Sequence, residues 1–494
     1  MHVVLWDTRR QDVSKDFAGG FGVGQFTGRG VRGRIIRHFY RRDRRPVALI
    51  FANLAAIFGR LGHTVQYVED RTDRAADLYV FCPSLMGLQL ERAAMARILS
   101  ENPQARILVT GQVATVLPRA FDGLNVTVVK GEAEQLLWKL DEVLQHPGAT
   151  VQLGTIEDLD RLPPPDWSPF EPGRFRVAYD FSRFPTALVQ QSRGCTMQCG
   201  YCPYIIQENT VRFRDPAAVA EEIHRGTESW GFRSYKFRDP LFGLNRAHVF
   251  QLAELLGRLP RPIQFSVETR IDVMRHELLR VLRRVGLTSV TVGVETPDQE
   301  KLRRHGRLPV DADQQRRFFA TCRGMGIRTV AGFMIGFPDD TESSIQAVLD
   351  HARLLGATFA NFNIFTPYPG TRYAEENRNR FAEPRFDRYT AYTPVIGTEH
   401  FTRRQLESLH ARCFRQYYFR WRYLWENAAV LWPVLERLGL GRRQELPSGQ
   451  GAHDAPPRPM SGLELLRRRK DLRQDGPHAH PGTADKRSGP KPTE

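Results

Sequence analysis

Gly194-Cys195-Thr196-Met197-Gln198-Cys199-Gly200-Tyr201-Cys202-Pro203-Tyr204 sets three thiols at C-x3-C-x2-C spacing, directly after an apolar run from Ala187 that reads as a strand. The chain has six cysteines in 494 residues, and such a sparse set with three members in one loop is no disulfide framework. A ligand set is the remaining reading. Structural zinc takes four donors, usually as two spaced pairs, and no neighbouring Cys or His completes this trio; the nearest histidine downstream is His224. Soft thiolates suit an iron–sulfur cluster, and with three thiolates for four irons one iron keeps an open coordination position. A small chelating ligand can bind there and receive an electron directly.

Downstream of the loop, apolar runs alternate with helical periodicity. Strands are expected at 187–192, 234–239, 263–268, 289–294, 329–335 and 359–365, with helices such as Pro216 to Trp230, Ala247 to Leu259, Glu277 to Val285 and Glu342 to Leu355 between them. Six βα units fit a partial (β/α)6 TIM-like barrel, in which the chemistry gathers at the carboxyl ends of the strands. Upstream, strand-like runs at 2–7, 64–69, 78–82, 107–110 and 126–129 alternate with helical patterns at 46–61 and 88–99 and with one entered through Gly131-Glu132. That order predicts a doubly wound, Rossmann-like parallel sheet. The fold class is therefore α/β, with a doubly wound domain over 1–150, a linker over 151–185 marked by Leu162-Pro163-Pro164-Pro165, the barrel over 186–375, a helical extension over 376–440 and a disordered basic tail over 441–494.

Composition supports a globular protein: 41% of residues are apolar and 26% charged. The formal net charge is +16, and residues 1–47 hold eleven Lys/Arg against four Asp/Glu, so a basic surface that attracts anions begins near the start. No interleaved basic-aromatic motif accompanies the charge, which argues against nucleic acid. No secretory signal and no apolar run long enough to span a bilayer is visible, so a cytoplasmic location is expected, with room for peripheral membrane contact.

The three-cysteine motif at the first strand of a partial barrel resembles the radical S-adenosylmethionine (SAM) superfamily. The resemblance implies a 4Fe-4S cluster on Cys195, Cys199 and Cys202, chelation of the open iron by the methionine amino and carboxylate groups of SAM, and one-electron cleavage to a 5′-deoxyadenosyl radical. It implies an aromatic role for Tyr201 against the adenine, with plain packing as the alternative. Asp239, in Phe237-Arg238-Asp239-Pro240, falls where such proteins bind the SAM amino group, and could equally cap the next helix. Glu295 ends Thr291-Val292-Gly293-Val294-Glu295, where a polar residue meets the ribose hydroxyls. Arg270 is a candidate for the SAM carboxylate or for an ion pair with Glu268. Gly332 and Gly336, in the fifth strand's Gly332-Phe333-Met334-Ile335-Gly336, would let adenine approach the backbone.

The first domain resembles the cobalamin-binding domain that precedes the barrel in one subgroup of that superfamily. The matching residues are Ser84 after one strand, Gly111 after the next, and Gly131-Glu132 before the last helix, small or polar positions that would leave room for the corrinoid's nucleotide tail. Gln112 replaces the second glycine of the usual pair, and no D-x-H-x-x-G motif supplies a histidine to cobalt, so any cobalamin is expected to bind without a histidine ligand. His63 reads as part of a helix-to-strand turn. The glycine-rich stretch 16–24 reads as a phosphate cradle or a lid. The resemblance implies a cobalamin-dependent radical SAM methyltransferase acting on an unactivated carbon of a small molecule or lipid, served by a one-electron donor such as flavodoxin or ferredoxin. Radical cyclisation, rearrangement or oxidation without methyl transfer is the alternative, and a non-enzymatic corrinoid or iron–sulfur sensor is the alternative of another class.

Overall fold

The structure is a computed structural model, and it describes residues 1–8, 15, 21, 46–70, 75–177, 183–205, 209–380 and 385–427. The expected glycine-rich lid or cradle, apart from Phe21, and the basic tail lie outside these residues.

Six parallel strands form the first sheet: β1 (His2–Asp7), β2 (Thr64–Glu69), β3 (Leu78–Phe81), β4 (Ile107–Val109), β5 (Thr127–Lys130) and β6 (Thr150–Gln152), in the order β2-β1-β3-β4-β5-β6. Val3, Val4, Leu5 and Trp6 are all buried, as a central strand covered on both faces requires. The order reverses between β1 and β3, which places the topological switch point at their carboxyl ends. The helix Leu49–Arg60 is apolar nearly all round and buried along most of its length. Strand β6 has one apolar residue, Val151, in three, too little for periodicity to reveal.

Several aromatic residues of the stretch that reads as a linker are packed into the core. Trp167 stacks edge-on against Phe170, Phe175 and Phe232 with ring centroids 6.2, 5.9 and 5.7 Å away, and Phe170 lies 4.8 Å from Tyr67 of β2. These rings join the two sheets in one apolar core.

The second sheet contains β7 (Thr186–Val189), β10 (Ser234–Phe237), β11 (Gln264–Thr269), β12 (Leu287–Glu295), β13 (Arg328–Ile335) and β14 (Phe359–Ile364), all parallel, in the order β14-β13-β12-β11-β10-β7. A short antiparallel ribbon, β8 (Ser192–Arg193) with β9 (Arg212–Phe213), follows β7. Side chains alternate across the sheet. Tyr235, Phe237, Phe265, Val267, Val290, Val292, Ala331, Phe333, Ala360 and Phe362 join the core beneath the helices. Lys236, Glu268, Thr291, Gly293, Gly332, Asn361 and Asn363 therefore point to the concave side. Local signals set the helix bounds. Pro216–Trp230 starts at Asp215, whose carboxylate accepts from the Ala217 amide, and stops at Gly231 with φ +68°. The helix Arg403–Tyr418 covers β14, with His410 Nε2 2.7 Å from the Phe362 carbonyl and the Tyr417 hydroxyl donating to Ala357.

Gly131 (φ +100°) turns the chain after β5, and a Cβ there would stand 2.1 Å from the Leu153 carbonyl oxygen. Gly62 (φ +78°) meets nothing within 4 Å. Thermal unfolding should show Gly62→Ala costing about 1 kcal/mol, the ordinary left-handed penalty, and Gly131→Ala clearly more because the backbone must also move.

Candidate active site

The cysteine loop springs from the ribbon that continues β7. Gly194 (φ +82°) begins it, with no room for a Cβ, which would lie 2.3 Å from the Thr210 carbonyl oxygen. The Cys195 amide donates to Asn209 Oδ1 at 2.8 Å, and the Gly200 amide donates to the His305 carbonyl at 2.9 Å. The Tyr373 amide donates to the Gly200 carbonyl, also at 2.9 Å. Gly306 (φ +72°) packs against the Gln198 carbonyl, where a Cβ would come within 2.5 Å. Three separate elements thus fix the loop in place. Burial pushes Cys202 up to about 12 and Cys199 upward. Among the described residues no three His, Cys, Asp or Glu side chains converge as a single-ion site would require. Thiols spread along a loop fit a polynuclear cluster, where each sulfur takes its own iron.

Around Cys199 lies an aromatic shell of Tyr201, Phe337, Phe365 and Tyr373. The Tyr201 ring sits 5.4 Å from Phe365 and 6.3 Å from His305, and among the described residues its buried hydroxyl has no hydrogen-bond partner. An orphaned buried hydroxyl is costly and marks a place where a ligand's polar atom belongs.

Glu295 ends β12 in a left-handed conformation (φ +67°) beside a register shift, a strained geometry for a non-glycine residue. Its carboxylate is buried and stands 3.4 Å from Arg307 Nη2, which also donates to the Gly293 carbonyl at 2.6 Å. Burial pushes Glu295 upward, partly offset by Arg307 and Arg270. Gly293 makes this contact possible, since a Cβ would lie 2.4 Å from the carboxylate. The Arg307 charge also acts on the nearby Cys199 thiol, so one guanidinium serves both the thiol loop and the strand end. Sequence reading missed Arg307. The basic run Arg303-Arg304-His305-Gly306-Arg307 looks like a solvated helix end, and nothing local separates its last member from the others.

Arg270 does not pair with Glu268. Its guanidinium grips Asp272 through two bonds of 3.0 and 2.9 Å and donates to the Leu308 carbonyl, while Nη1 is buried without a partner among the described residues. Glu268 turns instead to Lys236 (3.2 Å) on β10 and to Arg238 (2.6 Å) just beyond its end. Asp239 is not the cap of the following helix either: Asn245 holds that place, accepting from the His248 amide. Asp239 is fully buried, accepting from the Ser192 hydroxyl at 2.6 Å and the Gln191 amide at 3.4 Å, and so ties the end of β10 to the root of the cysteine loop. Gly332 lies opposite Gly293 on the concave wall, and a Cβ there would meet only ordinary contacts, the nearest at 3.7 Å. Gly336 (φ +81°) turns the chain after β13, its amide held by Asp340 Oδ2 at 2.8 Å, and Asp340 is in turn paired with buried Lys301.

The carboxyl ends of the first sheet face the same region. Thr115 Oγ1 donates to the Gly111 carbonyl and accepts from the Gly131 amide, which brings two expected positions together through a residue the sequence did not single out. The Ser84 hydroxyl accepts from the Gly87 amide, and the Ser84 amide donates to buried Glu91. Lys15 pairs with Glu91 at 2.5 Å and with Asp7 at 3.7 Å beside the switch point. Both Glu132 oxygens are taken up by Arg193, Arg212 and the Ile156 amide. His63 lies in the turn before β2, as expected. Between the sheets runs a cavity of ≈ 140 Å³ lined by Gly111, Gln112, Glu132, Arg193, Tyr204 and Arg238. Gln112 crosses it, its amide donating to the Pro203 carbonyl next to Cys202.

A parallel barrel sheet carrying a three-thiol loop after its first strand defines the class of protein. Residues 189–352 match the family described as the Radical SAM superfamily. An uncharacterised methyltransferase of Pyrococcus horikoshii is 26% identical over 270 residues, 54% of this chain and 57% of that protein. The chain spans about half the length of the curated relatives it matches. Two solved structures share the fold. The radical SAM methyltransferase TsrM of Kitasatospora setae, solved with cobalamin and a [4Fe-4S] cluster, matches with a TM-score of 0.53 at 16% identity, over 76% of this chain and 77% of that one. The cobalamin-dependent SAM radical enzyme OxsB, solved with aqua-cobalamin and SAM, matches with a TM-score of 0.60 at 13% identity, over 90% of this chain and 69% of that one.

Desolvation raises Asp239 from 3.8 to about 7 against the pull of its Ser192 and Gln191 bonds. Between those two values the native state holds a proton that the unfolded state has lost, so this group's contribution to stability falls as pH rises through that window. Asp239→Asn keeps the acceptor for Ser192 and carries no proton to lose. Melting temperatures measured across that range should fall less steeply in the variant than in the parent chain; an unchanged slope would show that Asp239 is not the titrating group.

Proposed function

We propose that this chain is a cobalamin-dependent radical SAM methyltransferase that adds a methyl group to an unactivated carbon of a small-molecule substrate. The observation that carries this reading is the placement of the thiol loop. It sits at the carboxyl end of one parallel sheet, across a single cavity from the carboxyl ends of a second, where its Pro203 carbonyl meets Gln112.

Cys195, Cys199 and Cys202 hold the 4Fe-4S cluster in this reading, and SAM lies along the concave wall of the barrel sheet. The residues fit such a ligand. Arg307 offers a fixed guanidinium to the SAM carboxylate beside Cys199, and Glu295 faces the ribose hydroxyls. Gly332 and Gly293 leave a flat wall for adenine, and the unpartnered Tyr201 hydroxyl points to a polar atom nearby. When bound, the cluster supplies the electron that cleaves the sulfonium, and the corrinoid supplies the methyl group. The protein binds, orients and excludes water: Phe337, Phe365 and Tyr373 close an apolar shell behind the cysteines. Gly111 and Gln112, at the carboxyl ends of the first sheet, would face the corrinoid from the border of this cavity. A one-electron donor such as flavodoxin or ferredoxin serves the cluster from outside. Among the described residues no helix is long and apolar enough to cross a membrane.

Anaerobic incubation of the reconstituted chain with SAM and reductant, with and without cobalamin, tests both cofactors. 5′-Deoxyadenosine should form in both arms, and S-adenosylhomocysteine only where cobalamin is supplied. Cys199→Ser should abolish the first product and the cluster's visible absorbance. S-adenosylhomocysteine absent from the cobalamin arm removes methyl transfer, and a substrate product of unchanged carbon count points to cyclisation, rearrangement or oxidation. Gly332→Ala adds a Cβ that meets only ordinary contacts in the fold but stands on the wall where adenine would lie, so SAM affinity should drop at least about tenfold, worth ~1.4 kcal/mol, with little change in melting temperature.

A further inference from the structure

The ribbon that carries the cysteine loop is bound to the first sheet by two buried carboxylates and two partly buried guanidiniums. Arg212 of β9 makes a two-pronged contact with Glu132, Nη1 to Oε2 at 2.9 Å and Nη2 to Oε1 at 3.0 Å. Arg193 of β8 reaches Glu132 Oε1 at 3.1 Å and Glu134 Oε1 at 2.6 Å, and its Nε donates to Gln190 at 3.0 Å. Asn53 supports Glu134 at 2.9 Å, and the Ile156 amide supports Glu132 at 2.6 Å. Two carboxylates and two guanidiniums balance in charge, and bonds of this kind are the strong, directional ones. Arg193 lies two residues before Cys195, separated from it by Gly194, whose backbone is fixed by close contact with Thr210. Glu132 and Glu134 belong to the turn after β5, which also lines the cavity between the sheets.

We propose that Glu132 and Glu134 are positioning residues that, through Arg193 and Arg212, set the distance between the cysteine loop and the cofactor cleft of the first sheet. Burial alone would raise Glu134, yet Arg193 holds it below the usual carboxylate range, so the pair stays ionised. SAM cleavage needs the cysteine loop and the barrel wall. Transfer between the two cofactor sites also needs the sheets in register, and a shift of about 1 Å can cost on the order of a hundredfold. Loosening the clamp should therefore uncouple the two sites while each stays intact. The proposal rests on the two-cofactor reading above for its consequence, but not for the mechanical link itself.

The test uses the full chain and the variants Glu132→Gln, Glu134→Gln and Arg193→Lys, with two readouts. Hydrogen–deuterium exchange of the cofactor-free protein should show peptides across 192–214 exchanging about tenfold faster in Glu132→Gln, with peptides across 287–364 unchanged, since opening would be local. Electron paramagnetic resonance of protein loaded with cob(II)alamin and reduced with dithionite should show the two paramagnets coupled in the parent chain. In Glu132→Gln and Glu134→Gln both signals should persist with weaker coupling, and Arg193→Lys, which keeps the charge but loses the fork, should be intermediate. Unchanged exchange over 192–214, or unchanged coupling with both signals present, overturns the proposal. If the parent chain shows no cob(II)alamin signal, the two-cofactor reading fails and exchange alone decides the clamp. If Glu132→Gln does not fold, Glu134→Gln, which strips a single contact to Arg193, decides it.

Discussion

Parallel strands joined through helices must bury both faces, so their polar chemistry is confined to the edge where the βα loops emerge. This chain contains two such sheets, and one apolar core built around Trp167, Phe170 and Phe175 fixes them together with those edges facing a common cavity. The rest of the site follows from that arrangement. The cysteine loop after β7, the strained end of β12 at Glu295 and the glycine turns at Gly111 and Gly131 are far apart in sequence, yet all lie where strands of one hand run out.

Polar groups at this edge are partly satisfied and partly held in reserve. Glu268, Asp272 and Asp340 neutralise Arg238, Arg270 and Lys301, so the concave wall keeps its charges in order without a ligand. The exceptions are informative. Among the described residues the Tyr201 hydroxyl and Arg270 Nη1 are buried and unpaired, close to the strained Glu295, and a fold keeps such costs where binding offsets them.

The periodicity of the chain made most of this fold legible. The helices Pro216–Trp230 and Glu342–Leu355 fall where the apolar period places them, and Asp215, Thr341, Gly231 and Gly356 cap them in the structure. Strand β6 escaped because a three-residue edge strand carries too few apolar positions to register. At the site, the cysteines and Glu295 stood out through residue type at a strand end. Arg307 did not, since its role depends on contacts with Cys199 and Gly293, which no spacing rule connects.

The sequence by itself determined the thiol trio, the two runs of alternating strands and helices, and the end of each sheet at which the chemistry lies. These are local properties, written in spacing and period. Tertiary structure alone decided who partners whom: that Arg270 takes Asp272 and leaves Glu268 to Arg238, and that Glu132 bonds to Arg193, 61 residues away, at the root of the cysteine loop. A charged side chain in a low-dielectric interior must find an opposite charge within a few ångströms, and which one lies in reach depends on how the sheets dock.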